Sequence, residues 1–181
     1  MKLAVSKRAG EKKSELTQLR YKGDIPAAVY SKGKPCDKIS INGAEFAAVL
    51  RGLPQGHLPT TVFDLGGKKA IVKDIQYHPT TYNILHLDFQ ILDDKTEVDI
   101  NVPVVCEGEA DCAGVKLGGF VRPIKRHVKV RCFPGDLPTS FKVNIKDLAI
   151  GQSKKVGDID FGEAVRPLAA DKEIVVTIAK R

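Results

Sequence analysis

The chain has 181 residues, 43% of them hydrophobic, enough for one or two packed domains. It has no tryptophan, no apolar run near the roughly eighteen residues of a membrane span and no apolar signal core at Met1–Arg8, so a large aromatic ligand cage is not expected and a soluble cytoplasmic protein is. The net charge is +7, and residues 1–38 supply ten Lys/Arg against four Asp/Glu, which points to a local anion-binding surface, most often for phosphate backbones, with a basic solubility arm as the alternative.

In chain order, Ser14 to Lys22 reads as a short helix ended by Gly23, with Pro26 beyond it. Leu16 and Leu19 share one side; Thr17 and Arg20 share a stripe facing solvent or ligand. Ile25 to Tyr30 is a short strand, and Lys38 to Ile41 a second. Asn42 then caps a helix with Glu45 three residues on, and Phe46, Val49, Leu50 and Leu53 form its core face. Thr60–Leu65 and Lys68–Tyr77 flank Gly66-Gly67, a two-residue hairpin turn that needs positive φ. After the loop His78–Asn83 comes the run Ile84 to Leu92, which alternates with period two. Leu85, Leu87, Phe89 and Ile91 lie on one face, and His86, Asp88 and Gln90 on the other. Three successive outward groups rich in hydrogen-bonding capacity point to a surface that reads something, and their spacing, about 7 Å for residues two apart, is close to that of stacked nucleotides. An ordinary wet sheet face is the other reading.

The fold class expected is mainly β (α+β). Residues 1–92 form a small β-barrel with two inserted helices, 93–96 a polar hinge, and 97–181 an antiparallel β-sandwich-like domain. In this second half Val98/Ile100/Val102/Val104, Val128/Val130/Cys132, Phe141/Val143/Ile145 and Ile174/Val176/Ile178 mark inward positions. Cys36, Cys106, Cys112 and Cys132 have no Cys-x-x-Cys spacing, so no structural zinc is expected; Cys132 is a small core residue. Gly114 to Gly119 lacks the Gly-Lys-Ser/Thr ending of a phosphate loop and reads as a flexible loop. Arg122 to Arg131 reads as a basic hairpin. His57 and His127 read as loop and surface residues. His86 with Asp88 has the makings of a hydrolytic or metal site, but it would need a third group, for which His78 is the nearest candidate in sequence. No catalytic set, cofactor or small-molecule substrate is expected.

Two blocks taken together carry a resemblance. The first is Lys13-Ser14-Glu15-Leu16-Thr17-Gln18-Leu19-Arg20-Tyr21-Lys22-Gly23-Asp24-Ile25-Pro26-Ala27-Ala28-Val29-Tyr30. The second is Val72-Lys73-Asp74-Ile75-Gln76-Tyr77-His78-Pro79 followed by His86-Leu87-Asp88-Phe89. The chain resembles the bacterial large-subunit ribosomal protein twenty-five family over essentially its whole length, in the two-domain Ctc or general-stress form. The resemblance implies a non-enzymatic ribosomal protein whose N-terminal barrel binds 5S rRNA at loop E, with neighbouring ribosomal proteins and rRNA as further partners. It implies RNA-facing roles for Arg8, Lys13, Arg20, Tyr30, Gln76, His86 and Asp88. Thr17-Gln18 departs from the Arg-Arg of many members and removes two phosphate clamps. A negative Asp88 does not contact phosphate; it would accept from a base amino group or a 2′-hydroxyl. A stress-linked RNA-binding module acting off the ribosome is the neighbouring alternative.

Overall fold

The computed structural model describes residues 1–8, 13–94, 96–162 and 164–180, and the chain divides into two compact units, Met1–Thr96 and Glu97–Arg181. The first unit contains β1 (Lys2–Leu3), β2 (Val5–Lys7), α1 (Lys13–Tyr21), β3 (Asp24–Tyr30), β4 (Asp37–Asn42), α2 (Gly43–Gly52), β5 (Val62–Leu65), β6 (Lys68–Tyr77) and β7 (Ile84–Ile91). Its strands form one sheet in the order β1-β5-β6-β7-β3-β4-β2. The two edge strands are consecutive in the chain, with only Ala4 between them. β1 runs parallel to β5 and β2 antiparallel to β4, so the N-terminal segment joins both edges and nearly closes the barrel. The Met1 amino group donates to the Val62 carbonyl at 3.0 Å, and the Asp64 amide to the Met1 carbonyl at 2.7 Å.

The interior is apolar because alternation on each strand turns one set of side chains inward. Ile25, Ala27, Val29, Ile39, Ile41, Ala70, Val72, Leu87 and Phe89 are buried there, and α2 adds Phe46. Phe63 lies between two other rings, 6.2 Å from Phe46 and 6.1 Å from Phe89, the latter nearly edge-on. The Asn42 side chain caps α2 by accepting from the Ala44 and Glu45 amides. Gly66 and Gly67 both have positive φ, as a primed two-residue turn requires, and Asp64 Oδ1 accepts from the Gly67 amide.

The second unit contains β8 (Val98–Glu107), α3 (Ala113–Lys116), β9 (Gly119–Pro123), β10 (His127–Cys132), β11 (Phe141–Asn144), β12 (Ser153–Lys155), β13 (Arg166–Pro167) and β14 (Ile174–Lys180). They make two sheets, β11-β8-β10-β13 and β12-β14-β9. Val98, Ile100, Val102, Val128, Val130, Cys132, Phe141 and Val143 are buried.

Four details differ from the sequence reading. First, β11 runs parallel to β8, so this unit is not purely antiparallel; side-chain alternation carries no sign of strand direction. Second, the basic run from Arg122 to Arg131 is not a hairpin. β9 pairs with β14, whereas β10 pairs with β8 and β13. The Ile124 and Lys125 amides both donate to the Val175 carbonyl, and Lys125 pairs with Glu173, which fastens the link to one sheet before the chain crosses to the other. Third, Gly114 to Gly119 is not simply a flexible loop: Gly114 lies in α3, Gly119 opens β9, and both are packing positions. A Cβ on Gly114 would meet Ile178 Cγ2 and the Leu148 carbonyl at 2.9 Å. Fourth, Ile174 opens β14 in an exposed position, with Val176 and Ile178 buried behind it.

Removing the central ring of the barrel tests this core. Phe63→Ala is expected to destabilise the protein by about 3–5 kcal/mol, read as a lower urea midpoint for the first unit in denaturation followed by circular dichroism. A loss below about 1 kcal/mol would contradict a close-packed site.

Candidate nucleic-acid interface

The outward side chains of β6, β7 and β3 form the candidate surface, and strand register determines who neighbours whom. Gln76 stands opposite His86, and Asp74 opposite Asp88, across β6 and β7. Asp88 is level with Ala28, and Gln90 with Tyr30, across β7 and the parallel β3. Ala28 is in turn opposite Lys38 on β4. One row across the face therefore reads Asp74, Asp88, Ala28, Lys38. Ala28 has no bulk beyond Cβ, so the middle of the row is open to an approaching ligand.

His86 and Asp88 lie on one side of β7, and His86 Nδ1 is 2.7 Å from Asp88 Oδ1. A carboxylate at that distance favours the proton on Nδ1, which leaves Nε2 as the acceptor in the neutral ring. The pairing occupies one Asp88 oxygen; among the described residues the other has no hydrogen-bond partner. Their side chains are 22% and 32% exposed, so both sit on the solvent side of the sheet rather than in the core. Gln76 is exposed beside them.

Tyr30 is half-buried next to this group. Burial, then the charges of Asp88 and Asp74, then the Cys36 thiol, push its hydroxyl above the ordinary value of 10.0. It is consequently a neutral donor throughout the physiological range.

The cations are placed by backbone anchors. Arg20, near the end of α1, donates from Nε and Nη2 to the Leu85 carbonyl at 3.3 and 3.0 Å, next to His86 in the chain. A guanidinium carries five N–H donors, so three remain for a phosphate. Arg8 donates from Nε to the Ile39 carbonyl at 3.2 Å, and its amide bonds Lys38. These bonds tie both arginines to the strands that bear the polar row. Lys13 opens α1, but its side chain lies outside the described residues.

The structure thus brings Tyr30, Gln76, His86 and Asp88 onto one face, with Arg20 anchored beside His86 and Arg8 on β4. Sequence reasoning missed Asp74 as a member. Its register depends on an irregularity between Val72 and Asp74, where Lys73 is the extra residue. The signal was present: inward residues fall at Ala70 and Val72, then at Ile75, a break in period two. His78, the third partner a hydrolytic site would need, is otherwise engaged, its Nδ1 accepting from the Thr80 and Thr81 amides. Among the described residues no group of three His, Cys, Asp or Glu is arranged to hold a metal ion.

Residues 3–89 match the Ribosomal L25p family, and residues 97–181 match the C-terminal domain of ribosomal protein TL5. The large ribosomal subunit protein bL25 of Chlamydia trachomatis serovar L2 is 42% identical over 185 aligned positions, covering all of both chains. The bL25 proteins of Chlamydia muridarum and Chlamydia pneumoniae are 40% and 38% identical over the same extent.

The chain belongs to the ribosomal L25p family.

It is the long form, because the second unit carries the TL5-type domain that follows the L25p region. Membership makes it a structural, non-enzymatic protein and removes the hydrolase reading of His86 and Asp88.

The Tyr30 environment has a pH signature. A phenol whose folded value is raised contributes stability fully present below its unfolded value, near 10, and lost as pH rises through the folded value. Titration of phenolate absorbance should show one of the four tyrosines ionising after the others, and Tyr30→Phe should delete that late component. A late component that survives the substitution would place the shift elsewhere.

Proposed function

We propose that this protein is a constituent of the large ribosomal subunit that binds 5S rRNA, in the loop E region, through its first unit. Family membership supports the ribosomal role and its cytoplasmic setting. The step to RNA recognition is carried by one observation: Gln76, His86, Asp88 and Tyr30 present acceptors and donors on one solvent-facing β surface, flanked by backbone-anchored arginines.

Regular A-form RNA hides its base edges in a deep, narrow groove. An internal loop with non-Watson–Crick pairs widens that groove and exposes edges. A rigid sheet face suits such a target, because its side chains are held by strand register rather than by a flexible loop. Asp88 is anionic and repels phosphate. Its free oxygen accepts from a base amino group or a 2′-hydroxyl, which makes it a specificity residue. His86 Nε2 accepts beside it, Gln76 donates and accepts, and the neutral Tyr30 hydroxyl donates. Arg8, Lys13 and Arg20 neutralise phosphates and position the protein.

Two substitutions separate these roles. Asp88→Ala is expected to weaken 5S rRNA binding by about 1–3 kcal/mol and to leave transfer RNA binding nearly unchanged. Equal weakening toward both RNAs would refute a reading role. Arg20→Ala is expected to weaken both and to flatten the dependence of log K on log salt by about one unit. An unchanged slope would place Arg20 off the interface. Nuclease footprinting with the intact protein should protect loop E; protection confined to another part of 5S rRNA would overturn the assignment, and equal affinity for transfer RNA would favour a module acting off the ribosome.

A further inference from the structure

The first unit has a cavity of about 540 Å³ lined, apart from Arg20, by residues that none of the roles above uses. Tyr77, Leu85, Ile84 and Leu50 supply apolar wall, Tyr82 and Asn83 come from the β6–β7 loop, and Arg20 and Asp24 add one charge of each sign. The volume falls within the range of small-ligand sites. One cation and one anion leave the cleft electrostatically balanced, so it is not an anion trap. Apolar side chains with tyrosines, an amide and a carboxylate match a nucleobase, which stacks through its faces and hydrogen-bonds through its edge.

Tyr82 is the telling residue. It is 77% exposed and has φ of 55°, the only non-glycine residue with positive φ among those described. A bulky side chain in the left-handed region is an outlier and carries strain. The loop enforces it: the His78 carbonyl accepts from the Tyr82 amide at 2.9 Å, and the His78 amide donates to the Asn83 carbonyl at 2.8 Å. Folding alone would favour glycine or asparagine here, so a strained, solvent-exposed aromatic at a cavity rim points to a ligand.

We infer that this cleft receives an unpaired nucleobase of the bound RNA, stacked on Tyr82. The source is RNA rather than a free nucleotide because one of the proposed phosphate clamps, Arg20, lines the cleft. Arg20 is anchored to the Leu85 carbonyl next to His86 in the chain, so it belongs to both the cleft and the proposed reading face. The inference rests on the RNA-binding reading, and the test separates the two.

Intact wild-type protein, Tyr82→Phe and Tyr82→Asn are compared for 5S rRNA affinity and melting temperature. Tyr82→Phe keeps the ring and should bind within about twofold of wild type. Tyr82→Asn loses the stacking surface and should bind roughly 5- to 150-fold more weakly, while its melting temperature rises because asparagine tolerates the left-handed backbone. Binding and stability then move in opposite directions, which a merely structural tyrosine would not produce. Photocrosslinking of 5-iodouridine-substituted 5S rRNA should yield adducts on Tyr82 or Tyr77. Wild-type affinity for Tyr82→Asn, an equal loss for Tyr82→Phe, or crosslinks confined to other residues would overturn the cleft assignment alone. Failure of the wild-type protein to bind 5S rRNA would instead overturn the functional reading and the cleft with it.

Discussion

Closure of the first unit depends on six residues, Lys2 to Lys7, pairing with both ends of one sheet. Without them β5 and β4 would be open edges, offering unpaired backbone groups to any passing strand. With them the sheet becomes nearly continuous, and its curvature and register follow from hydrogen bonds rather than from side-chain preference. The polar row is a product of that geometry. Asp74, Asp88, Ala28 and Lys38 come from four strands dispersed along the chain, and they align only when β7 sits between antiparallel β6 and parallel β3. The same N-terminal segment supplies Lys7 and leads to Arg8, so part of the positive charge is delivered by the element that closes the barrel.

That row breaks a local rule. Asp74 and Asp88 face one another across an antiparallel pair, where like charges destabilise. Tyr30 feels both, which is part of why its proton is held. The His86 imidazole offsets some of the repulsion through its bond to Asp88. A surface selected for stability alone would carry threonine or lysine at these positions. Violations of this kind gather where a protein has something to recognise.

Much of the fold was legible because period-two alternation directly reports which side of a strand is buried. β7 is the clearest case: Leu87 and Phe89 are inside, His86 and Asp88 outside, as the pattern states. Caps and turns were legible for the same local reason, since Asn42 and Gly66-Gly67 act within a few residues of themselves. What alternation does not contain is strand direction or partner. The parallel pairs β1–β5, β3–β7 and β8–β11 were invisible for that reason, and β9 and β10 were misread as a hairpin although they lie in different sheets. The candidate site was legible in part. Single-strand alternation put His86 and Asp88 on one face; resemblance, not physics, supplied Gln76 and Tyr30; and Asp74 was lost because one irregularity in β6 shifts every later side chain to the opposite face.

The distribution of charge completes the argument. The protein carries +7 overall, yet its polar row is anionic at the centre. Cations attract any RNA and distinguish little among sequences. A carboxylate in the middle does the reverse: it repels phosphate and is compensated only by a donor held at the right place. On the proposed reading, an RNA that lacks such a donor leaves the Asp88 oxygen not held by His86 desolvated, a cost that falls on the wrong partner alone. On the proposed RNA-binding reading, discrimination would arise from an unfavourable group placed among favourable ones. The row must also be rigid, because a mobile aspartate would turn aside from the wrong RNA and escape that cost. The bond from His86, the flanking strands and the closed barrel are what prevent it from doing so.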